Sequence, residues 1–304
     1  MKIIESIDEM REYSQQLKRD GKTIASVATE SYLHDGHMSL VKVAKENVDV
    51  VVMSNFHTFY YFYYLNHPER YEKHIAEYHA EFLKDDLATC EKYDVDILFQ
   101  PSMLDVYSNL TNKITLSGLL VDRFIKKRAW NPNLANGYGD IISLYLLMNL
   151  KIFNIVSPDV SVIGEKDVYE LTSYLKSLID DLNYSIKLII APTIRDSNGV
   201  ALSSRNAALN KEELINVSSV YKTLQEVSTW SEYPSIQRVK MYINERIEAS
   251  DGTVNYIDIC CAETLEELKT IDRKAVILVS TQFGNVIELY DNIIIEPKHL
   301  GYAR

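Results

Sequence analysis

Residues 23–47 read TIASVATESYLHDGHMSLVKVAKEN, and the fold class can be argued outward from them. Thr23 to Thr29 is short, apolar and β-prone, which predicts a buried strand. From His37 to Asn47 the apolar positions Leu40, Val41 and Ala44 recur at helical spacing. Between the two lies His34-Asp35-Gly36-His37. A sheet's carboxyl edge followed by a helix N-terminus offers unpaired N–H groups and a positive dipole, a setting suited to phosphate. Gly36 lets the backbone approach closely, and imidazoles three residues apart can both point at phosphate oxygens. The plainer alternative is a helix entry where two histidines happen to fall.

The same alternation continues on both sides. Val48 to Phe56 is another apolar run, Pro68 to Tyr93 a long polar helix, and Val95 to Gln100 a third strand. Ile141 to Ile155 reads as a buried helix, Val160 to Ile163 as a strand, Val168 to Asp181 as a helix. Lys187 to Ala191 is a further strand, ended by Pro192. Such βαβ units imply an α/β, Rossmann-like parallel sheet covered on both faces. Beyond Pro192 the texture changes. Helical candidates Lys211–Val227 and Ser235–Ile247 precede strand candidates Tyr256–Cys260, Ala275–Ser280 and Val286–Ile295. Helices first and strands after suggest a smaller α+β domain, so we expect one domain over 1–190 and another over 191–304.

Composition narrows the function classes. The 304 residues carry 32 Lys+Arg against 43 Asp+Glu, a formal charge of −11. That balance argues against nucleic acid and anionic membranes, both of which need a basic surplus. Three cysteines, two of them adjacent (Cys260, Cys261), cannot build a disulfide framework, and a reducing, cytoplasmic setting is expected. Ile141 to Val156 is too short and too interrupted to span a bilayer. His57, His67, His74 and His79 lack the spacing of a helical zinc motif. Among 31 aromatics 21 are tyrosine, and six aromatics run together from Phe59 to Tyr64.

Two further segments carry candidate chemistry. Gly164-Glu165-Lys166-Asp167 falls at a strand-to-helix junction, where a lysine can neutralise phosphate and a carboxylate can meet a metal or an amine. Ala201-Leu202-Ser203-Ser204-Arg205-Asn206 follows the turn Asp196-Ser197-Asn198-Gly199 and puts two hydroxyls and a guanidinium on one loop. Taken singly, each is also a common surface turn or loop.

Together and in this order, these motifs give a chain that resembles the pantoate–β-alanine ligase (pantothenate synthetase) family of the H-x-G-H nucleotidyltransferase superfamily. The resemblance runs from Met1-Lys2-Ile3-Ile4-Glu5 through Lys151-Ile152-Phe153-Asn154-Ile155 and Ser157-Pro158-Asp159 to near Asp291-Asn292-Ile293. It implies an ATP- and Mg²⁺-dependent, AMP-forming ligase that joins a carboxylic acid to an amine through an acyl adenylate. The smaller domain would close over the ATP site, and the protein would be a homodimer. By the same resemblance His34 and His37 would contact the ATP phosphates, with Gly36, Gly164 and Asp167 beside the nucleotide. Lys166, Ser203, Ser204 and Arg205 would stabilise the departing pyrophosphate, and Asp85 would match an aspartate near Mg²⁺.

The departures from the family pattern gather on the acid side. Glu30 stands where the family has methionine; Tyr61 and Glu170 stand where it has glutamines that hold pantoate. The family's Arg-Pro-x-His-Phe-x-Gly reads Tyr138-Gly139-Asp140-Ile141-Ile142-Ser143-Leu144, without its Arg and His. New carboxylates would repel an acid unless a cation sits between them. We therefore expect the activated acid to carry an ammonium group, as an amino acid does, received by Glu30 and Glu170. The alternatives are ordinary condensation of pantoate with β-alanine, and a nucleotide-binding protein that has lost catalysis. The basic cluster Arg123, Lys126, Lys127 and Arg128 is most simply a solvated surface.

Overall fold

In the computed structural model, residues 1–30, 32–57, 68–107, 138–167 and 173–297 are described. The chain divides into two compact units: Met1–Gly164 with Glu170–Ala191, and Glu165–Tyr169 with Pro192–Arg304.

The first unit is an α/β layer structure. Six strands, β1 (Lys2–Ile4), β2 (Ile24–Thr29), β3 (Val50–Asn55), β4 (Ile97–Phe99), β5 (Val160–Gly164) and β6 (Lys187–Ala191), form one sheet in the order β1-β4-β3-β2-β5-β6. Every pairing is parallel. Parallel strands are buried on both faces, and period-two alternation sorts their side chains between two cores. Ala25, Val27, Val51 and Met53 face one core with Met38, Val41 and Ala44 of helix α2 (Asp35–Lys45). Ile24 and Val52 face the other with Met148 and Ile152 of a long helix, Tyr138–Val156. From β2 the strands build outward through β3, β4 and β1, and then β5 and β6 return on β2's other side. Ligands of open α/β sheets bind beyond the carboxyl ends of strands at such a reversal, and H-x-G-H follows β2 there.

Several elements go beyond the expected set, the short helix Met103–Val106 among them. β1 and helix α1 (Ile7–Arg19) precede the first expected strand; Ser6 caps the helix by accepting from Glu9 N–H at 3.3 Å. Glu9 and Asp8 in its first turn and Lys18 and Arg19 in its last suit the helix dipole. One expectation needs correcting. The helix expected over 68–93 is two, α3 (Pro68–Glu81) and α4 (Leu83–Lys92), broken at Phe82, whose φ of −120° leaves the helical range. In a straight helix, residues eight apart are displaced by about 12 Å along the axis. The break instead lets the Tyr78 hydroxyl donate to Asp86 Oδ2 at 2.6 Å.

The second unit has a three-stranded antiparallel sheet of Thr253–Cys261, Ala275–Phe283 and Val286–Ile295. Two helices, Lys211–Ser228 and Ile236–Glu248, supply Val220, Leu224, Val239 and Ile243 to its core, against Ile259, Ile277 and Val279. Asn210 and Glu213 close a capping box at the start of the first of them. Among the described residues no helix is long and apolar enough to cross a membrane.

Candidate active site

The first unit organises the H-x-G-H loop. His34 is the N-cap of α2: its backbone is extended, and its Nδ1 accepts from Gly36 N–H at 3.1 Å. Accepting at Nδ1 puts the neutral ring's proton on Nε2. His37 N–H donates to His34 O at 2.8 Å, and the two imidazoles stack at 4.0 Å between centroids. The i, i+3 spacing therefore brings both rings to one place at the helix's positive end.

A buried relay holds the backbone that enters this turn. Asn55, the last residue of β3, donates to the Tyr78 hydroxyl at 2.9 Å; that hydroxyl donates to Asp86, whose Oδ1 accepts from Leu33 N–H at 2.7 Å. Asn55, Tyr78 and Asp86 are all buried. Burial pushes the Asp86 carboxyl above its usual range, against the opposing hydrogen bonds from Tyr78, Leu33 and Tyr32. Tyr32 adopts a left-handed φ of 54°, and its ring packs edge-on to Tyr78 and Phe82. The relay thus joins β3, both halves of the broken helix and the loop before His34. Of the adjacent acids, Asp85 is exposed and Asp86 is the one turned inward. The resemblance singles out Asp85, whereas nothing in the sequence marks Asp86 as the partner of Tyr78, because the break at Phe82 that brings them together carries no local signal.

The second unit organises the other two motifs. Glu165–Asp167 forms one short 3₁₀ turn, and the Asn292 side chain donates to the carbonyls of Glu165 and Lys166 at 3.0 and 3.2 Å. Lys166 Nζ donates to Leu202 O at 3.1 Å, which ties this turn to the loop carrying Ser203, Ser204 and Arg205. That loop has a firm base. Arg195 makes two hydrogen bonds to Asp291, at 2.7 and 2.8 Å, and its guanidinium lies 3.4 Å over the Tyr221 ring. Asp196 accepts from the N–H groups of Asn198 and Val200, closing the expected turn, with Gly199 at a φ of +89°. Ser203 Oγ accepts from Arg205 N–H, while Ser204 and Arg205 are exposed. Arg195 and Asn292, which carry no motif signal of their own, are what hold the motif residues.

Other expectations have different outcomes. Glu30 is half-buried just beyond β2. Tyr61, the aromatic run 59–64, Glu170 and the basic cluster 123–128 lie outside the described residues. A Cβ built on Gly164 would meet only Leu40 Cδ2, at 3.9 Å, so the protein itself sets no steric demand for glycine there. Among the described residues no three His, Cys, Asp or Glu side chains converge on a point that could hold a metal.

A family model described as pantoate-beta-alanine ligase matches residues 2–294. A pantothenate synthetase from Thermotoga petrophila is 32% identical over 302 residues, covering 97% of this chain and 100% of that one. Pantothenate synthetase from Thermus thermophilus has a similar structure, with a TM-score of 0.79 and 25% identity, over 98% of this chain and 100% of that chain. Pantoate-beta-alanine ligase from Francisella tularensis, complexed with beta-gamma ATP and beta-alanine, shares the fold at a TM-score of 0.71 and 24% identity. That likeness covers 97% of this chain and 97% of that chain.

Proposed function

Because this chain belongs to the pantoate-beta-alanine ligase family of ATP-dependent, AMP-forming ligases, we propose that it condenses pantoate with β-alanine. A pantoate carboxylate oxygen attacks the α-phosphorus of ATP, the bond from that phosphorus to the β-phosphate oxygen breaks, and pyrophosphate leaves. The amine nitrogen of β-alanine then attacks the acyl carbon, AMP leaves with the bonding pair, and the nitrogen loses a proton. Neither step asks the protein for a nucleophile. Both ask for positioning, and for donors and cations where phosphate charge develops.

In this reading His34 and His37 hydrogen-bond the phosphates, with Gly36 and Gly164 giving the nucleotide room and Asp167 lying beside it. Lys166, Ser203, Ser204 and Arg205 stabilise the departing pyrophosphate. What supports it most is the pair of stacked imidazoles capping a helix that follows a central parallel strand, in a chain matched by this family nearly end to end. Magnesium, which keeps most of its water and binds through phosphates plus one or two carboxylates, suits this donor set. Bound with the nucleotide, it would neutralise phosphate charge, and Asp85, an exposed single carboxylate, is the protein group proposed to approach it.

The expectation of an amino-acid substrate loses ground. Of Glu30, Tyr61 and Glu170, only Glu30 is among the described residues, and the relatives named above are pantothenate synthetases. The discriminating experiment is ATP–pyrophosphate exchange with pantoate and with a panel of amino acids, followed by AMP release on adding β-alanine. Exchange with pantoate is expected. Exchange only with an amino acid would overturn the choice of acid, and none with any acid would mean that catalysis has lapsed. We further infer a cytoplasmic homodimer, which light scattering and cell fractionation would check.

A further inference from the structure

We propose that His57 is a specificity contact for the acid substrate, donating to and accepting from one of its hydroxyl groups. The inference rests on the pantoate reading above. His57 lies two residues beyond the end of β3. Phe56 N–H donates to Thr29 O at 3.0 Å, so the pairing of β3 with β2 carries on past Asn55. His57 consequently emerges at the carboxyl edge, beside the exit of β2 that leads to Glu30 and His34.

The residue is 5% exposed, and both ring nitrogens are buried without a hydrogen-bond partner among the described residues. The nearest rings do not relieve it. Tyr78 lies edge-on at 4.4 Å, but its hydroxyl already serves Asp86 and Asn55; His74 lies at 5.9 Å between centroids. Buried imidazoles are ordinarily satisfied, and one left with both nitrogens orphaned is tolerated where a ligand or ordered water completes it.

The charge state selects the ligand chemistry. Burial first, then the neighbouring His74 and His79, push the ring down to about 3, so it is neutral at pH 7. A neutral imidazole offers one donor and one acceptor. A carboxylate only accepts and an ammonium only donates, whereas a hydroxyl does both. Pantoate brings two hydroxyls, and the β3 edge meets one of them through His57.

The test is His57→Phe in the full chain, assayed by ATP–pyrophosphate exchange with pantoate and with analogues lacking each hydroxyl in turn. Wild type is expected to discriminate against one analogue by about tenfold or more. The variant should lose that discrimination, raise KM for pantoate by about tenfold, and keep KM for ATP within about twofold. Its melting temperature should not fall, since a buried orphan pair has gone; a purely structural histidine would give the opposite. Should the phenylalanine variant fail to fold, His57→Leu, which likewise offers neither donor nor acceptor, carries the same comparison. A folded variant with unchanged pantoate KM and unchanged hydroxyl discrimination would overturn the inference and leave the pantoate reading standing. Wild type inert with pantoate would instead overturn the reading and, with it, this contact.

Discussion

The loop that enters α2 and the loop from Pro192 to Asn206 both carry groups suited to phosphate, yet they are held by opposite means. The first hangs from a buried carboxylate. Asp86 takes its hydrogen bonds from neutral donors, Tyr78, Leu33 and Tyr32, and burial raises its pKa. The second rests on a charge pair, Arg195 with Asp291, whose side chains are 15% and 9% exposed, braced by Tyr221 and the side chains of Asn206 and Asn292. A relay in which each group depends on the next has no slack. A clamp of several parallel bonds can lose one member and keep its shape. The H-x-G-H turn is therefore preset, whereas Ser204 and Arg205 are exposed tips on a fixed base.

The sharpest separation of tip from base is Lys166→Ala. Its ammonium is proposed to act on developing pyrophosphate charge, so kcat should fall by roughly 10²–10³ with little change in melting temperature. A fall in stability with only a small rate effect would recast Lys166 as a brace for Leu202, part of the base after all.

Asp86→Ala attacks the relay. It strands the Tyr78 hydroxyl and the Leu33 N–H, and should cost about 2–4 kcal/mol by chemical denaturation, with a raised KM for ATP. Asp86→Asn supplies the sign of the pH effect. A carboxyl whose folded pKa is raised holds its proton more tightly folded than unfolded. The stability it contributes is therefore greatest below the unfolded pKa and falls as pH rises through the folded one. The stability of wild type relative to Asp86→Asn should decline over that window. A flat difference would mean that Asp86 titrates alike in both states, and the relay would carry no penalty for a buried charge.

Much of this architecture is legible in the sequence, and what is not has identifiable physical causes. Strands β2, β3, β4 and β5 announce themselves because a parallel strand buried on both faces is a run of apolar residues such as Val50-Val51-Val52, and the edge strand β6 is also apolar although its Ile190 is 49% exposed. Turns announce themselves through Asp196 and Gly199. β1 stays silent since three residues at a sheet edge carry almost no pattern, and its Ile3 is 46% exposed. The break at Phe82 is tertiary in origin: no proline or glycine marks it, and only the meeting of Tyr78 with Asp86 makes sense of it. For the same reason sequence points to the motif residues themselves but not to Asp86, Arg195 or Asn292. The residues that hold a site come from distant parts of the chain, Asn292 lying 126 positions from Lys166.

Asn292→Ala measures the slack of the clamp directly. Its amide donates to two carbonyls that flank the base of Lys166. Losing it should cost about 1 kcal/mol and lower kcat by about tenfold, since Arg195 and Asp291 remain to hold the loop. Collapse of the whole second unit would show that this clamp is as brittle as the Asp86 relay.

Gly164→Ala gives the smallest effect and the cleanest reading of who needs the space. The residue ends β5, has no left-handed φ, and a methyl there meets only Leu40 Cδ2 at the ordinary distance of 3.9 Å. Stability should change by less than about 0.5 kcal/mol, because neither backbone strain nor a clash opposes the substitution. If Gly164 makes room for nucleotide, the folded variant will raise KM for ATP and leave KM for pantoate alone. If both constants stay put, glycine at the end of β5 is incidental, and nucleotide approach depends on the H-x-G-H turn and Lys166. A protein-only contact cannot produce a shift in ATP affinity at constant stability, so the two readings separate in one pair of measurements.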